Sequence, residues 1–364
     1  MEDDREGRRA TGRESEQMRM LSVDPLDGLV DQYSVAVDEY VASLLGRMGL
    51  PAELDGMVRY HLGWVDERFQ PAPAARGKRV RPTLTLLACE AAGADWRAAL
   101  PSAAAVELVH NFSLVHDDIQ DRSMLRRHRP TLWALWGDAR AINAGDAIFV
   151  LAQLAILGQA TDAADRAAPA RLLNQASASL CAGQQLDLEL VGSPTPDLDA
   201  YYGMIDGKTA ALIAAAAELG ALAAGSAPPT STAYGRFGRE LGLAFQLQDD
   251  LLDVWGASAS RGKPAREDLR GRKHSFPIVL AHTLAGPEGA GRLAALYGGS
   301  APLTDDAVEE LAALFDELGV LAEAERRVCA HFDAALAALA QAGPRAEAGA
   351  MLAALAESLV GRQA

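Results

Sequence analysis

Hydrophobic residues recur every three or four positions through most of the 364-residue chain, and long stretches lack the alternation typical of strands. This spacing indicates helices that bury one face. Alanine is abundant and β-branched residues are sparse, which favours helices further. We therefore predict a nearly all-helical chain. The predicted helices are Leu26–Arg47, Ala52–Phe69, Thr83–Ala92, Pro101–Asp121, Ala139–Gln159, Ala167–Leu190, Leu198–Gly225, Thr230–Trp255, Phe276–Ala285, Glu288–Tyr297, Asp305–Gln341 with a break near Gly319, and Pro344–Arg362.

We predict one domain that follows a short N-terminal tail. Residues 1–22 are charged and poor in large apolar side chains, so we expect them to be disordered. No shift in composition divides residues 23–364, which suffice for one large core. The most apolar windows are interrupted by Asp146 and Glu218, so no membrane-spanning segment is expected. Three scattered cysteines and the absence of a secretory-signal pattern favour a cytoplasmic protein.

Two apolar helices end in the same acidic pattern, Asp-Asp-x-x-Asp. The first is Asp117–Asp121, after an apolar run from Leu108, and the second is Asp249–Asp253, after Phe245. Carboxylates three or four positions apart on a helix project to one side, where they repel each other. A divalent cation that takes oxygen ligands from two carboxylates would relieve the repulsion. A solvated helix end is the alternative for either copy alone, and the repetition favours a metal site.

Basic segments adjoin both acidic patterns. They are Arg76–Pro82, Arg122–Arg129 directly after the first pattern, and Gly262–Lys273 beyond the second. Only four of the 34 basic residues are lysines, and each stands beside glycine or another basic residue. Arginine and lysine bind phosphate oxygens, and Mg²⁺ joins phosphate to carboxylates. The combination predicts a diphosphate or polyphosphate substrate, although a solvated loop remains the alternative for each segment alone.

Charge and motifs also exclude some functions. The formal net charge of −15 argues against nucleic acid as the main partner. The glycine-rich phosphate loops of nucleotide-binding proteins are absent from the sequence, so nucleotide handling is poorly supported. The helices that lead to the acidic ends are rich in leucine, alanine and valine, which predicts an apolar cavity below them.

Taken together, the motifs resemble those of the trans-isoprenyl diphosphate synthases, of the polyprenyl synthetase family. The likeness covers nearly the whole predicted domain, and all four lysines fall on family positions. The motifs are Gly77–Pro82, Ser113–Asp121, Arg126-Arg127, Gly145-Asp146, Gly183-Gln184 with Asp187, Gly207–Thr209, Phe245-Gln246, Asp249–Asp253, Gly262-Lys263 and Lys273. The resemblance implies a single large all-α bundle of the isoprenoid synthase type, with a central cavity between two facing Asp-rich helices. It also implies a homodimer.

The resemblance implies a prenyltransferase that joins isopentenyl diphosphate to allylic diphosphates with about three Mg²⁺ ions per site, or Mn²⁺ in their place. The implied catalytic residues are Asp117, Asp118, Asp121, Lys208, Asp249 and Asp250. The implied metal ligands are Asp117, Asp121, Asp249 and Asp253. The implied ligands of the allylic diphosphate are Arg126, Lys208, Thr209, Gln246, Lys263 and Lys273. Those of isopentenyl diphosphate are Lys78, Arg81, His110 and Arg127.

Product length is expected to depend on Phe112 and Ser113, which lie five and four positions before Asp117. We expect both to face the cavity floor. A large residue followed by a small one resembles synthases of C20 geranylgeranyl diphosphate, with C15 farnesyl diphosphate or a C25 product as alternatives.

Two other activities compete with this reading. A type I terpene cyclase shares the fold and the first acidic pattern, but normally carries an Asn/Asp…Ser…Glu pattern at the second metal site. A non-catalytic subunit of a heteromeric synthase tends to lose the second acidic pattern or to carry paired cysteines. The second Asp-Asp-x-x-Asp of this chain favours the synthase over both.

Overall fold

The structure is a computed structural model that describes residues 25–72, 77–159, 167–190, 197–256, 266–299 and 301–361. Helices make up nearly all regular structure in these residues, which confirms the all-α prediction. The helices are α1 Pro25–Arg47, α2 Ala52–His61, α3 Val80–Ala91, α4 Leu100–Gln120, α5 Leu132–Trp136, α6 Asp138–Leu157, α7 Ala168–Leu190, α8 Leu198–Ile205, α9 Ala211–Ala223, α10 Pro228–Trp255, α11 Glu267–Arg270, α12 Phe276–Leu284, α13 Pro287–Tyr297, α14 Asp305–Leu318, α15 Val320–Ala342 and α16 Ala346–Val360.

Three shorter elements join these helices. A 3₁₀ turn covers Trp96–Ala99, and a π-helical turn covers Asp206–Ala210. The strands β1 (Leu125–Arg126) and β2 (Arg129–Pro130) pair antiparallel as a small hairpin directly after α4. The predicted tail at residues 1–22 and the expected phosphate ligand Lys263 lie outside the described residues.

One predicted helix end differs from the structure, and one predicted break agrees with it. The helix predicted to reach Phe69 ends at His61, because Gly63 adopts a left-handed backbone with a φ of 83° and the Trp64 N–H returns to the Arg59 carbonyl oxygen at 3.0 Å. Beyond this cap, the Asp66 carboxylate accepts the backbone N–H groups of Arg68 and Gln70 at 2.9 and 2.8 Å, which closes a separate turn. The break expected near Gly319 is confirmed, since that residue has a φ of 66° between α14 and α15.

The predicted helix Leu198–Gly225 is divided into α8 and α9 by the π-helical turn. The second of these helices, α9, packs against α3, α7 and α10. Its small side chains allow close approach, and a Cβ on Gly220 would lie 2.1 Å from the Thr85 carbonyl oxygen. Glycine is therefore required where α9 crosses α3.

The two helices that end in acidic patterns occupy central positions. Helix α4 packs against α1, α3, α6 and α9, and α10 packs against α9 and α15. One hydrophobic core surrounds α4 and a second surrounds the C-terminal half of α10. Because α9 contacts both helices, the cores hold the two acidic ends in a defined relation.

Two helical stretches, Trp96–Gln120 and Asp138–Leu157, are long and apolar enough to cross a membrane by length and composition. In the first, 67% of the most apolar window is buried inside the fold, as in the core helix of a globular domain. In the second the buried share is 44%, because one face of α6 points outward. The absence of a membrane span stays a prediction.

Candidate active site

The two acidic helix ends meet at one cleft around the ammonium group of Lys273. Burial opposes the charge of this lysine, but surrounding carboxylates outweigh burial and raise its pKa above the usual range. These carboxylates are Asp268, Asp250 on α10, Asp187 on α7 and Asp121 on α4. A single cation thus lies within electrostatic reach of carboxylates from α7, α10, α11 and the C-terminal end of α4. This arrangement agrees with the prediction of two facing Asp-rich helices.

Burial is the main perturbation of the Asp117 carboxyl group and raises its pKa to about 6, whereas nearby Lys208 lowers this pKa and Asp121 raises it. Positive charge near the carboxyl group favours its ionised form. The neighbouring Asp121 is exposed at the helix end, so both side chains can reach a ligand in the cleft.

The donors at the cleft are carboxylate oxygens, which Mg²⁺ prefers. Among the described residues, no three His, Cys, Asp or Glu side chains converge closely enough to hold a metal ion by themselves. Mg²⁺ in such sites takes one or two carboxylates and completes its shell with phosphate oxygens and water. The residues therefore fit Mg²⁺ that binds together with a diphosphate. The candidate ligands are those expected from the sequence, Asp117, Asp121, Asp249 and Asp253.

Asp118 is turned toward the β-hairpin. Arg126 donates Nε to both carboxylate oxygens at 2.8 and 2.9 Å, and its Nη2 lies 2.7 Å from Oδ1. Burial raises the pKa of Asp118, and the hydrogen bonds from Arg126 lower it. Asp118 thus fixes the guanidinium group of Arg126 beside the first acidic pattern, which suits the supporting role expected of it.

Asp250 is also buried and engaged by the protein. Its Oδ1 accepts Gln246 Nε2 at 2.9 Å, and its Oδ2 accepts the Tyr201 hydroxyl and the Phe276 backbone N–H, both at 2.7 Å. Since both oxygens already have donors, Asp250 acts through its neighbours rather than as an open ligand. The outer members of the pattern differ: Asp249 is exposed, and Asp253 accepts the backbone N–H of Asp268 at 3.2 Å.

One cavity of about 100 Å³ contains most of the residues expected to bind the allylic diphosphate. Lys208, Thr209, Gln246 and Lys273 all line it, together with Asp187. Lys208 Nζ lies 2.5 Å from Asp187 Oδ2, and the Thr209 hydroxyl donates to Gln246 Oε1 at 2.9 Å. Two cations facing a small polar cavity provide a site for an anion such as diphosphate.

The π-helical turn explains how Lys208 reaches this cavity. Its wider winding is frequent at functional sites. A Cβ on Gly183 would lie 2.1 Å from the backbone nitrogen of Lys208, and one on Gly207 would lie 2.6 Å from the Ser179 carbonyl oxygen. Helix α7 and the turn therefore touch through their backbones. This contact sets the position from which Lys208 and Thr209 extend.

A second cavity, of about 260 Å³, brings together all four residues expected to bind isopentenyl diphosphate. They are Lys78, Arg81, His110 and Arg127. Burial lowers the pKa of Arg81, and burial together with nearby arginines lowers that of His110 well below its usual value, so this imidazole is neutral. Asp249 of the second acidic pattern lines the same cavity.

Arg79 holds the basic loop in place, a role that the sequence did not reveal. Its guanidinium group forms buried ion pairs with Asp38 on α1 at 2.8 Å and Glu107 on α4 at 2.9 Å. Its backbone is left-handed, with a φ of 50°. Arg79 itself lines this cavity beside Lys78 and Arg81, so its ion pairs hold the wall to which both neighbours belong.

Phe112 and Ser113 do not face the same direction. At about 100° per residue, Ser113 is about 40° from Asp117 around α4, whereas Phe112 is about 140° away. The Phe112 ring packs between His116 and Phe149 of α6, with centroid distances of 5.0 and 4.9 Å. Of the pair expected at the cavity floor, Ser113 is the one on the acidic side of the helix, and Phe112 supports it from behind.

Three residues of the site were missed or left without a role by the sequence. Asp187 stands in a recognised motif, but only the fold places it against Lys208. Arg79 and Tyr201 gave no signal, because an arginine in a basic loop and a tyrosine in an apolar helix are ordinary. Their partners lie 28 to 49 positions away in the chain.

Comparison with known proteins adds an independent line of support. The family described as polyprenyl synthetase matches residues 63–315. A (2E,6E)-farnesyl diphosphate synthase of Mycobacterium tuberculosis is 46% identical over 285 residues, 76% of this chain and 78% of the relative. A geranylgeranyl diphosphate synthase of the same organism is 43% identical over 286 residues, 79% of this chain and 81% of the relative. The crystal structure of a polyprenyl synthetase from Streptomyces coelicolor A3(2) superposes with a TM-score of 0.85 at 34% identity, covering 92% of this chain and 99% of the other.

Proposed function

Since the chain belongs to the polyprenyl synthetase family and is a prenyltransferase that makes short-chain prenyl diphosphates, we propose that its product is geranylgeranyl diphosphate. One observation supports this activity above all. Two cavities lined by cations adjoin the second acidic pattern; one contains all four residues expected for isopentenyl diphosphate, and the other contains four of the six expected for the allylic diphosphate. A terpene cyclase or a non-catalytic subunit would not need the second, isopentenyl-binding cavity.

Each substrate has its own set of cations in this proposal. Lys78, Arg81 and Arg127 bind the diphosphate of the isopentenyl substrate in the larger cavity. Lys208 and Lys273 bind the allylic diphosphate in the smaller one. Because the cavities meet at the second acidic pattern, the allylic carbon and the isopentenyl double bond are held near each other.

The reaction begins when the allylic C–O bond breaks and its electron pair leaves with the diphosphate. Lys208 and Lys273 stabilise the negative charge that develops on the leaving group. When bound at Asp117, Asp121, Asp249 and Asp253, Mg²⁺ supplies further positive charge to this diphosphate.

The isopentenyl double bond then forms the new C–C bond with the allylic cation. A proton leaves the resulting cation, and its C–H electron pair becomes the new trans double bond. The released diphosphate accepts this proton, so the chain needs no carboxylate or imidazole as a dedicated base. The neutral His110 in the isopentenyl cavity adds no positive charge next to the reacting cation.

The C20 product is the finer part of the proposal, because the relatives named above make different products. Its support is the small side chain of Ser113 on the same side of α4 as Asp117, where a large residue would leave less room for a growing chain. We expect the wild-type protein with isopentenyl diphosphate, each allylic primer and Mg²⁺ to accumulate the C20 diphosphate. Chain-length analysis of the dephosphorylated products measures this. Predominant C15 or C25 product contradicts the assignment, and volatile hydrocarbon without consumption of isopentenyl diphosphate indicates a cyclase.

Variants of the floor give a sharper test. Ser113→Phe should shorten the product to C15, whereas the control Ser113→Ala, which keeps the side chain small, should leave it at C20. Phe112→Ala should lengthen the product, because it removes the ring that fills the space between α4 and Phe149. Unchanged product length in both Ser113→Phe and Phe112→Ala refutes the proposal that these two residues limit product length.

We also propose that the protein is a homodimer through the outer face of α6. Ile142, Val150, Leu154 and Leu157 are exposed large apolar residues of this helix. Their spacing places them on a single face, and contiguous exposed apolar surface marks interaction sites. Light scattering should give twice the chain mass for the wild type and the monomer mass for a Val150→Glu, Leu154→Glu variant. A monomeric wild type contradicts the proposal.

A further inference from the structure

We propose that Tyr201 is a positioning residue for the second acidic pattern, which it holds through the buried carboxylate of Asp250. The inference rests on the proposed function, because the role of Tyr201 is to shape the metal and diphosphate site. The hydroxyl group of Tyr201 donates to Asp250 Oδ2 at 2.7 Å across 49 positions of sequence. Tyr201 is fully buried, and Asp250 is nearly so. The Tyr201 side chain lines the smaller cavity, but its hydroxyl group is engaged by Asp250, so the hydroxyl group acts through that carboxylate.

The hydrogen bond belongs to a chain of contacts that joins four elements. From α8, Tyr201 reaches Asp250 on α10, which also accepts the backbone N–H of Phe276 at the start of α12. On the same face of α10, Gln246 donates to Asp250 Oδ1 and accepts from Thr209 in the π-helical turn. Each donor in the chain has an acceptor, so the orientation of the Gln246 amide is determined by its neighbours.

The contacts meet between the two sides of the diphosphate cavity. Thr209 is adjacent to Lys208 on one side, and Asp250 lies between the outer carboxylates Asp249 and Asp253 on the other. A fixed Asp250 fixes the turn of α10 that presents both neighbours to the cleft. Residues that orient metal ligands from behind commonly affect metal affinity by tenfold or more.

The aromatic ring of Tyr201 has a separate structural role. It stacks against Phe276 at a centroid distance of 5.6 Å and meets the edge of the Tyr202 ring at 6.1 Å. A Tyr201→Phe substitution keeps this packing and removes only the hydroxyl group. The variant therefore separates the hydrogen bond from the core contact.

The chain offers a matched control in Tyr234 of α10. Its side chain is also fully buried, but its hydroxyl group has no hydrogen-bond partner among the described residues. Tyr234→Phe removes the same atom from the same core without disturbing the contacts of Asp250. Any general effect of deleting a buried tyrosine hydroxyl is common to both variants.

The experiment measures the initial rate of product formation by the wild type, Tyr201→Phe and Tyr234→Phe over a range of Mg²⁺ concentrations. We expect the concentration for half-maximal rate to rise about five- to tenfold in Tyr201→Phe and to stay unchanged in Tyr234→Phe. The KM for isopentenyl diphosphate should stay within about twofold in both, since a separate cavity binds that substrate. Thermal unfolding verifies that both variants fold, and the rise of the thermal midpoint on adding Mg²⁺ with inorganic diphosphate should be smaller in Tyr201→Phe than in Tyr234→Phe.

The outcomes distinguish the two proposals. If the wild type is active and Tyr201→Phe shows the same Mg²⁺ dependence, the positioning role is wrong and the proposed function stands. Equal shifts in Tyr201→Phe and Tyr234→Phe also overturn it, because the effect then arises from the loss of any buried hydroxyl. A folded wild type without Mg²⁺-dependent condensation refutes the proposed function instead.

Discussion

Removing Arg79 should strongly destabilise the protein, because two buried carboxylates would lose the guanidinium group that pairs with both. The side chain of Arg79 is 6% exposed, and those of its partners Asp38 and Glu107 are 12% and 6% exposed. Breaking a buried ion pair on one side typically costs about 3–5 kcal/mol. We expect Arg79→Leu to lower the free energy of unfolding by this amount, a large part of the roughly 5–15 kcal/mol typical of a folded domain.

Chemical denaturation followed by circular dichroism measures the change. A triple variant, Arg79→Leu with Asp38→Asn and Glu107→Gln, should recover at least half of the loss, because neutral amides are less unfavourable in the same place. The surface pair Arg140–Glu53, more than half exposed on each side, provides the control, and Arg140→Leu should cost less than about 1 kcal/mol.

Two results would refute this reasoning. The first is a loss below about 1 kcal/mol for Arg79→Leu, which would place the pair with ordinary surface ion pairs. The second is a triple variant no more stable than the single one. Where Arg79→Leu still folds, its KM for isopentenyl diphosphate should rise more than its KM for the allylic substrate, since the loop of Arg79 carries Lys78 and Arg81.

Three further predictions follow from the site. Gly183→Ala should lower the free energy of unfolding by about 1–3 kcal/mol and reduce activity, because the new Cβ would lie 2.1 Å from the Lys208 backbone nitrogen. The control Gly28→Ala, whose Cβ would have nothing within 4 Å, should be neutral or stabilising in the same denaturation measurement. Burial lowers the pKa of His61 to about 3, so the unfolded chain binds a proton below pH 6.5 that the folded chain excludes. Stability should therefore fall by up to about 2 kcal/mol from pH 6.5 to pH 5, and less steeply in His61→Gln; equal slopes contradict this. Mg²⁺ alone should leave the thermal midpoint of the protein unchanged, since the described carboxylates do not converge on a metal by themselves. Mg²⁺ with inorganic diphosphate should raise the midpoint. A rise with Mg²⁺ alone would contradict the binding of Mg²⁺ together with diphosphate.

The sequence predicted much of the fold because helical periodicity is a local property. Most helix positions and the break at Gly319 agree with the structure. The errors have two causes. A left-handed Gly63 ends α2 earlier than predicted, and the π-helical turn at Lys208 depends on the backbone of Gly183 in another helix.

The composition of the site was also readable, because carboxylates and cations in a regular spacing carry their chemistry with them. The acidic patterns predicted oxygen ligands for a metal, and the basic segments predicted phosphate binding. The same reasoning could not distinguish a carboxylate that is available to a metal from one that already accepts hydrogen bonds from the protein. Asp117 and Asp118 are adjacent in the chain, yet Asp118 is paired with Arg126 while Asp117 remains at the cleft.

The sequence by itself therefore determined an all-helical chain with two acidic helix ends, four special lysines and a diphosphate chemistry. Only the tertiary structure decided that Arg79 pairs with Asp38 and Glu107 beside the cavity of Lys78 and Arg81, that Tyr201 donates to Asp250, and that Phe112 packs on Phe149 behind Ser113. The chemical type of each side chain and the helical spacing of such side chains can be read from short stretches of the sequence. Burial, hydrogen-bond partners and the direction of a side chain depend on residues tens of positions away, and these contacts exist only after the helices have packed.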